Sequence, residues 1–432
     1  MKPNTNRREF IRNTALAAGA FTIIPRHVLG GAGYVAANDR INFAYIGNGK
    51  QVRGLLNQFI KLPEVRVLAA SDVDRNKLER FRKWTNEYYS ENPPKKRYKG
   101  CDVYEDYKEI LDRRDIDAVV VATPDHWHAL QSIDALNAGK DVYCEKPLAH
   151  TIEEGRAMVE ATRRNGRVFQ TGSMQRSWDD FRKACELVRN GYVGEIKKVK
   201  VNVGGPGRIC DLPAEEQPSY LNWDAWIGPA VWRPYSSVLS PPIEDNGWPR
   251  WRDYMAYGGG TLADWGAHMF DIAQWALGMD DSGPVKITPP EDKAAKFGAS
   301  FLYENGIEML HEDFGRGFAV RFIGSEGSLD VSRSFLDSNP ESIVTATIGG
   351  SDERLYYSKN HYKDFIGAIQ NRTKPVCDVE IGHRSATVCS LGNIAYQLGR
   401  RLEWDPKAEQ FINDGYANRL RSKQYREGYK LM

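Results

Sequence analysis

A buried strand that runs directly into a glycine turn and a helix is the feature that most constrains the fold of this chain. Ile41–Ile46 is a short apolar run with β-branched and aromatic residues, which is typical of a buried strand. Gly47-Asn-Gly49 follows, and apolar residues then recur at helical spacing over 55–60. Glycines in such a turn let backbone amides approach a phosphate at the helix N-terminus. We therefore predict a nucleotide-binding β–α–β unit with Gly47 and Gly49 at the pyrophosphate.

The second strand pattern, over 65–72, ends in an acidic residue that bears on the choice of cofactor. Asp72 lies about 20 residues beyond the glycines, where a carboxylate accepts from the adenosine ribose hydroxyls in NAD sites. A carboxylate there repels a 2′-phosphate, so we predict NAD, while the nearby Arg75 leaves NADP open. The alternative interpretation of Asp72 is a turn or helix-cap aspartate.

Two further predicted strands end in residues that are not typical of a core. A continuously apolar strand ends at Thr123-Pro124, and a helix is predicted over 129–138. The next strand ends at Glu145-Lys146-Pro147. The carboxyl ends of parallel strands are where open sheets bind ligands, which favours a functional site here over a plain surface turn.

Beyond Met174 the pattern changes to short strands without intervening helices, which predicts an antiparallel sheet. We therefore predict an α/β protein in which a Rossmann domain, residues 38–172, precedes an α/β domain, residues 173–432. The second domain should contain a large, mostly antiparallel open sheet, and its final helices should pack back on the first domain.

A glycine-bounded segment in the second half carries an acid and an imidazole. Three glycines from Gly258 precede apolar residues at helical spacing, and Gly278 closes the segment, which predicts one packed helix. Asp264 and His268 are four residues apart and share a face of that helix, which favours proton transfer. The glycines should let the helix start approach a substrate closely. One alternative is a structural Asp–His cap. The other is a metal site that includes Asp271, but no second His lies at ligand spacing for such a site.

Two other stretches are candidates for substrate contact. Residues 205–252 hold five tryptophans, and Trp248 and Trp251 are predicted to stack on a sugar ring. A subunit interface or a covering flap is an equal alternative for this loop. Gln175 and Arg176 follow the last predicted Rossmann strand and are expected to reach substrate hydroxyls.

The composition and the N-terminal segment indicate where the protein is located and which partners it binds. The formal net charge is +2 and the basic residues are dispersed, so nucleic-acid binding is not predicted. Arg7-Arg8 precedes an apolar run that is too short to span a bilayer. Residues 1–37 therefore resemble a twin-arginine export signal and linker, which predicts a periplasmic protein without a membrane anchor. A disordered basic N-terminus is the alternative.

The order of these motifs is similar to that of the Gfo/Idh/MocA oxidoreductases, over nearly all of the chain beyond about residue 38. The resemblance implies NAD or NADP as cofactor, a carbohydrate or cyclitol substrate, and a homo-oligomer, either a dimer or a tetramer. Because free NAD is scarce outside the cytoplasm, the export signal further predicts that the cofactor is tightly bound and loaded before export. Two positions depart from the family pattern, because Val52 replaces a small residue and Asp125 stands where Asn is commoner. The resemblance implies a catalytic group of Lys146, Asp264 and His268, and cofactor contacts from Gly47, Gly49, Asp72, Thr123, Pro124, His126 and Glu145, with no metal.

The chemistry of these residue types predicts hydride transfer from a hydroxyl carbon. His268 would accept the hydroxyl proton, and Lys146 would hydrogen-bond the same oxygen. Two alternatives stay open on the same residues. One is a glycosidase that works by transient oxidation and elimination, with Tyr254 or Tyr257 as a further acid or base. The other is a non-catalytic sugar-binding protein.

Overall fold

The computed structural model describes residues 40–93 and 98–431, so the predicted twin-arginine segment lies outside the described residues. The first half alternates strands and helices. In chain order its elements are β1 (Ile41–Ile46), α1 (Lys50–Phe59), β2 (Val65–Ser71), α2 (Arg75–Glu91), β3 (Asp102–Tyr104), α3 (Lys108–Leu111), β4 (Ala118–Val121), α4 (Asp125–Asn137), β5 (Asp141–Cys144), α5 (Ile152–Arg164) and β6 (Phe169–Thr171).

These strands form a six-stranded parallel sheet in the order β3-β2-β1-β4-β5-β6, which is the Rossmann order. The strand order reverses between β1 and β4, where Ile46 pairs with Val121. Both strands are buried on their two faces, which explains why they read as continuous apolar runs. The crevice at this switch point is where such sheets bind ligands.

The second half contains most of the antiparallel structure. After a 3₁₀ turn at Met174–Ser177, its elements are α6 (Asp179–Arg189), β7 (Ile196–Asn202), α7 (Trp223–Ile227), a 3₁₀ turn at Arg250–Asp253, α8 (Gly260–Asp264), α9 (Gly266–Leu277), β8 (Lys286–Thr288), β9 (Ser300–Leu302), β10 (Glu308–His311), β11 (Ala319–Gly324), β12 (Ser328–Ser332), β13 (Leu336–Asn339), α10 (Ser342–Thr345), α11 (His361–Asn371), α12 (Val379–Leu398), β14 (Leu402–Asp405), β15 (Gln410–Phe411) and α13 (Gly415–Arg419).

Its strands form a nine-stranded sheet in the order β13-β12-β11-β7-β10-β9-β8-β14-β15. Every neighbouring pair is antiparallel except β7 and β10, so the predicted fold class is confirmed. Helices α6, α9 and α12 cover one face of this sheet, and their apolar side chains join those of the strands in one core. Strands β9 and β10 form a hairpin, since Leu302 of β9 pairs with Glu308 of β10.

The late helices pack against the first sheet and its helices. Phe365 of α11 is fully buried in the core beside β1, with its ring 6.1 Å from that of Phe43 and 6.2 Å from that of Phe59. Helix α12 packs against α5. Residues 41–432 accordingly form one compact unit, in which groups from both halves of the chain meet.

Two predicted helix bounds are wrong. Helix α4 begins at Asp125 and not at Ala129, because the extended backbone of Pro124 places it as the N-cap of that helix. The helix predicted after the three glycines is two helices, α8 and α9, that meet at Trp265. The carbonyl of Trp265 accepts from the amides of both His268 and Met269, at 3.0 Å each. The bond to His268 spans three residues, as in a 3₁₀ helix, so the backbone is wound more tightly at this point.

Within the described ranges, no helix is long and apolar enough to cross a membrane. All six cysteines are unpaired, and five of them are buried; the six are Cys101, Cys144, Cys185, Cys210, Cys377 and Cys389.

Candidate functional site

A cavity of about 1050 Å³ opens at the carboxyl ends of β1 and β4. The first half of the chain supplies one side of it, from the Gly47 turn and the ends of β2, β4 and β5. The second half supplies the other side, from Trp251, Asp264 and His268. Both predicted groups, the nucleotide-binding turn and the acid–imidazole pair, therefore face one space.

The glycine turn is shaped for a phosphate group. Gly47 has φ +85° and lies so close to Thr123 that a Cβ atom would be 2.7 Å from its Cγ2. At Gly49, by contrast, a Cβ atom would meet nothing within 4 Å, so the backbone is open to a ligand. Helix α1 begins there without a side-chain cap, which leaves its first amides for an anion. Val52 points into the core and does not line the cavity.

Asp72 follows β2 and lines the same cavity. Its carboxylate accepts the amide of Asn48 at 2.5 Å and that of Asp74 at 2.9 Å, which fixes its orientation. Burial raises the pKa of Asp72, although Lys77 opposes this shift. Arg75 is exposed and lies outside the cavity lining, whereas Lys77 and Arg80 are part of it.

These residues fit a dinucleotide. The open amides at Gly49 suit the pyrophosphate, and the Asp72 carboxylate suits ribose hydroxyls. Thr123 and Pro124 line the cavity between them. Glu145 also lines it, and its Oε1 is buried without a hydrogen-bond partner among the described residues, so a polar group of a ligand can satisfy it.

Lys146 and Asp264 form the ion pair that joins the two halves of the site. The Lys146 ammonium donates to Asp264 Oδ1 at 2.6 Å and to the Asp264 carbonyl at 2.9 Å. Arg252 Nε lies 3.4 Å from the same Oδ1. Burial opposes ionisation, but Lys146 and Arg252 together lower the pKa of Asp264. Asp264 is therefore ionised at neutral pH and held by two cations, which makes it an anchor for the lysine.

His268 is the group of this cluster that can accept a proton. Burial, with Lys146 and Arg333 adding to it, holds the pKa of His268 well below its usual value. The imidazole is therefore neutral at physiological pH. Its Nδ1 has no hydrogen-bond partner in residues 40–93 and 98–431.

Two buried carboxyls beside this cluster are easily protonated. Burial raises the pKa of Glu145 to about 7, although Lys146 opposes the shift. Burial also raises the pKa of Asp125 well above its usual value, against the effect of Arg252. A protonated carboxyl has one donor and one acceptor, as an amide side chain has. Protonation of Asp125 would therefore give it the hydrogen-bonding pattern of an Asn side chain.

Three predicted site residues do not line the cavity. His126 is fully buried against Trp226, whose carbonyl lies 3.1 Å from its Nε2. Gln175 is buried beside Met269, and Arg176 is buried in a double ion pair with Asp271 and Asp280. The expectation that Gln175 and Arg176 contact the substrate is corrected, because the turn after β6 directs both side chains into the core.

The three glycines also have a role different from the predicted one. They do not line the cavity. A Cβ atom on Gly260, which has φ +70°, would lie 2.4 Å from the carbonyl carbon of Pro206, and one on Gly258 would lie 3.0 Å from the Arg252 carbonyl. The glycines therefore allow the start of α8 to pack closely against the neighbouring backbone. A metal role for Asp271 is not supported, because the described residues contain no cluster of candidate ligands.

The tryptophan-rich loop contributes to both core and cavity. Trp223 and Trp226 stack on each other in a buried cluster, with 4.6 Å between ring centroids. Trp248 and Trp251 line the cavity, and the Arg252 guanidinium lies over their rings at 5.2 and 4.2 Å.

Sequence reasoning missed Arg252 and Arg333, which both line the cavity. The position of Arg252 next to Trp251 was a signal that could have identified it. Arg333 follows β12 in an ordinary strand-end context, and no local pattern distinguishes it.

Comparisons with known proteins agree with this architecture. Residues 41–173 match the Gfo/Idh/MocA model described as an oxidoreductase family with an NAD-binding Rossmann fold. Residues 206–431 match the model for the C-terminal alpha/beta domain of that family.

Individual relatives are distant. The uncharacterized oxidoreductase YrbE of Bacillus subtilis is 22% identical over 82% of this chain and 90% of its own length. The glycosyl hydrolase family 109 protein 1 of Shewanella sp. MR-4 is 30% identical over 45% of this chain and 44% of its own length. The WlbA dehydrogenase of Chromobacterium violaceum, solved with NADH and UDP-GlcNAcA, superposes with a TM-score of 0.59 at 18% identity, covering 85% of this chain and 97% of that one. The two family models together span most of the described residues, and the chain therefore belongs to the Gfo/Idh/MocA family of NAD-binding oxidoreductases.

Proposed function

We propose that this oxidoreductase transfers hydride between NAD and a hydroxyl carbon of a sugar, glycoside or cyclitol. The observation that carries the proposal is the Lys146–Asp264 ion pair beside a neutral, buried His268, inside the cavity that also contains the dinucleotide-binding residues. The WlbA structure, solved with a nucleotide sugar acid, supports the substrate class.

Each protein group then has a distinct task. The bound nicotinamide supplies the hydride acceptor. Lys146 uses two of its N–H groups on Asp264, which leaves a third for the reacting oxygen and for the negative charge that develops on it. His268 accepts the hydroxyl proton. Asp264 holds Lys146 in place.

The test is reduction of NAD by a panel of aldoses, glycosides and cyclitols, with His268→Ala as the comparison variant. We expect at least one compound to form NADH, and His268→Ala to slow its turnover by about 10²–10⁴. If no compound reduces NAD in the folded, NAD-loaded enzyme, the proposal is wrong. Turnover within a few-fold in His268→Ala would refute only the choice of base.

A glycosidase that uses transient oxidation is the second candidate, favoured by the partial match to a glycosyl hydrolase family 109 protein. Tyr254 and Tyr257 are buried and lie outside the cavity lining, so neither supplies the further acid or base that elimination requires. Glu145, with a pKa of about 7, is better placed for that task. Release of sugar from a nitrophenyl glycoside without net NADH would favour this candidate.

We further propose that the enzyme is exported through its twin-arginine segment with NAD already bound, and that it forms a homo-oligomer. The cavity supports retention, because Tyr429 and Lys430 from the C-terminal end line it together with the Rossmann turn. Native mass spectrometry of protein from the periplasmic fraction tests both ideas. Protein found only in the cytoplasm, or without NAD, would contradict the first, and a monomer would contradict the second.

A further inference from the structure

Arg333 has an unusual position in the site, because it is held firmly but is not fully paired. Its Nε donates to Gln175 Oε1 at 3.0 Å. Its guanidinium lies over Trp265, 4.5 Å from the ring centroid, and over Trp178 at 5.5 Å. The two Nη groups have no hydrogen-bond partner in the described part of the chain, and the side chain lines the cavity.

The fixed orientation of Arg333 matters for what it can bind. The hydrogen bond to the buried Gln175 and the stacking on Trp265 set the plane of the guanidinium. The Nη edge then remains as a pair of parallel donors, which matches the two oxygens of a carboxylate or a phosphate. The Arg333 side chain is thus already ordered in the free protein, which reduces the conformational entropy that it loses on binding a ligand.

Among the described residues Arg333 forms no ion pair, although Asp264 and Glu145 lie near enough to act on it electrostatically. Lys146 and Arg252 share the Asp264 carboxylate. Asp253, also in the cavity lining, pairs with Arg250 at 2.9 Å.

Three further carboxyls line the same side of the cavity, those of Asp125, Glu145 and Asp245, and none of them forms an ion pair with Arg333. Arg333 therefore faces the cavity with no carboxylate of the described residues bonded to its Nη groups.

We propose that Arg333 binds an anionic substituent, a carboxylate or a phosphate, on the sugar substrate. The natural substrates are then acidic sugars, such as uronic acids or sugar phosphates, in preference to neutral ones. The inference rests on the proposed function for the sugar itself, but the charge preference is measurable by binding alone.

The experiment is calorimetric titration of the NAD-loaded enzyme with glucuronate, glucose 6-phosphate and glucose, and with the matching galactose series. Arg333→Gln and Arg333→Lys are the test variants. Arg419→Gln is the matched control, because Arg419 also stacks on an aromatic ring, that of Tyr416, but lies outside the cavity lining. We expect one acid to bind at least about tenfold tighter than its neutral parent in the wild type and in Arg419→Gln.

In Arg333→Gln the acid should lose about 30- to 100-fold in affinity, so that the ratio of acid to neutral affinity approaches about 1. Arg333→Lys should retain more of the preference for the acid than Arg333→Gln, since lysine keeps the positive charge but lacks the two parallel N–H donors of the guanidinium. During turnover the loss should appear in KM and not in kcat. Preference for glucuronate identifies a carboxylate, and preference for glucose 6-phosphate identifies a phosphate.

Three results would overturn the inference: neutral sugars binding as well as acids, an equal loss for acids and neutral parents in Arg333→Gln, or no binding of any acid. A dependence of acid binding on Arg333 without NADH formation would instead refute the proposed function and leave the charge preference intact.

Discussion

Replacing Lys146 by Met tests the central ion pair most directly. Methionine has a similar length and fills the same space, but it removes all three N–H donors. Asp264 then loses the bonds at 2.6 and 2.9 Å and keeps only Arg252 at 3.4 Å. In the proposed mechanism, the reacting oxygen also loses the donor that would stabilise its developing charge.

The magnitude follows from the position of the lysine. Removing one donor from a water-excluded oxyanion site costs about 10²–10³ in rate, or about 3–4 kcal/mol of transition-state stabilisation. The freed Asp264 carboxylate adds an unfavourable negative charge beside the same oxygen, so we expect a loss near the upper end, about 10³ in kcat. The affinity for NAD should change little, because the residues assigned to the pyrophosphate and ribose are untouched.

The assay is single-turnover reduction of bound NAD by the sugar found in the panel, together with titration of NAD. Lys200→Met is the matched control, since Lys200 Nζ also lies 2.6 Å from a carboxylate, that of Glu312, but outside the cavity lining. We expect Lys200→Met to keep the wild-type rate. A Lys146→Met rate within tenfold of wild type, with Lys200→Met unchanged, would refute the role given to Lys146.

A pH series adds a second readout for Lys146→Met. The folded pKa of Asp264 is lowered, so its ionisation stabilises the fold above its unfolded pKa of about 3.9, and this stabilisation is lost as the pH falls through the folded pKa. Without Lys146 that contribution shrinks. The difference in unfolding free energy between wild type and Lys146→Met should therefore be larger at neutral pH than in acid, and a pH-independent difference would contradict the electrostatic reasoning.

Four further predictions concern other groups. The base assigned to His268 has a lowered pKa, so in Glu145→Gln, which removes the neighbouring group with a pKa of about 7, kcat/KM should stay level between about pH 8 and about pH 6.5, and a fall centred near pH 6.5 in that variant would contradict the assignment. Asp125 has a raised folded pKa, so its burial destabilises the protein increasingly as pH rises above about 3.9; Asp125→Asn should be more stable than wild type at neutral pH in urea unfolding, with the gap closing in acid. Arg176→Met leaves Asp271 buried without its cation and should cost about 3–5 kcal/mol in urea unfolding, and a cost below about 1 kcal/mol would refute that reasoning. Asp72→Ser should lower the ratio of NAD to NADP efficiency at least about tenfold in steady-state kinetics, and an unchanged ratio would show that Asp72 does not select the cofactor.

The accuracy of the sequence predictions depended on how local each feature is. The strand, glycine turn and helix from Ile41 to Phe59 were predicted because their periodicities and turn residues are contiguous. The start of α4 was missed because proline after a strand indicates its end and does not reveal that Pro124 also caps a helix. The break at Trp265 was missed because apolar spacing continues across it.

Side-chain partners were harder to predict than elements. Arg176 follows a strand that ends at the binding crevice, which is an equally good context for a ligand contact or for a core ion pair. The choice was made by Asp271 and Asp280, which lie about 100 residues further along the chain. Arg333 carried no local signal, and it entered the site because the turn after β12 lies beside Trp265.

The sequence by itself determined the fold class, the parallel sheet with its glycine turn, and the residue types on which the proposed hydride and proton transfer depends. These properties depend on neighbours a few residues apart. Only the tertiary structure decided that Lys146 contacts Asp264, 118 residues away, and that Arg333 faces the cavity while Arg176 does not. Periodicity reports which face of an element is buried, but the partner that covers that face is chosen by the packing of distant segments.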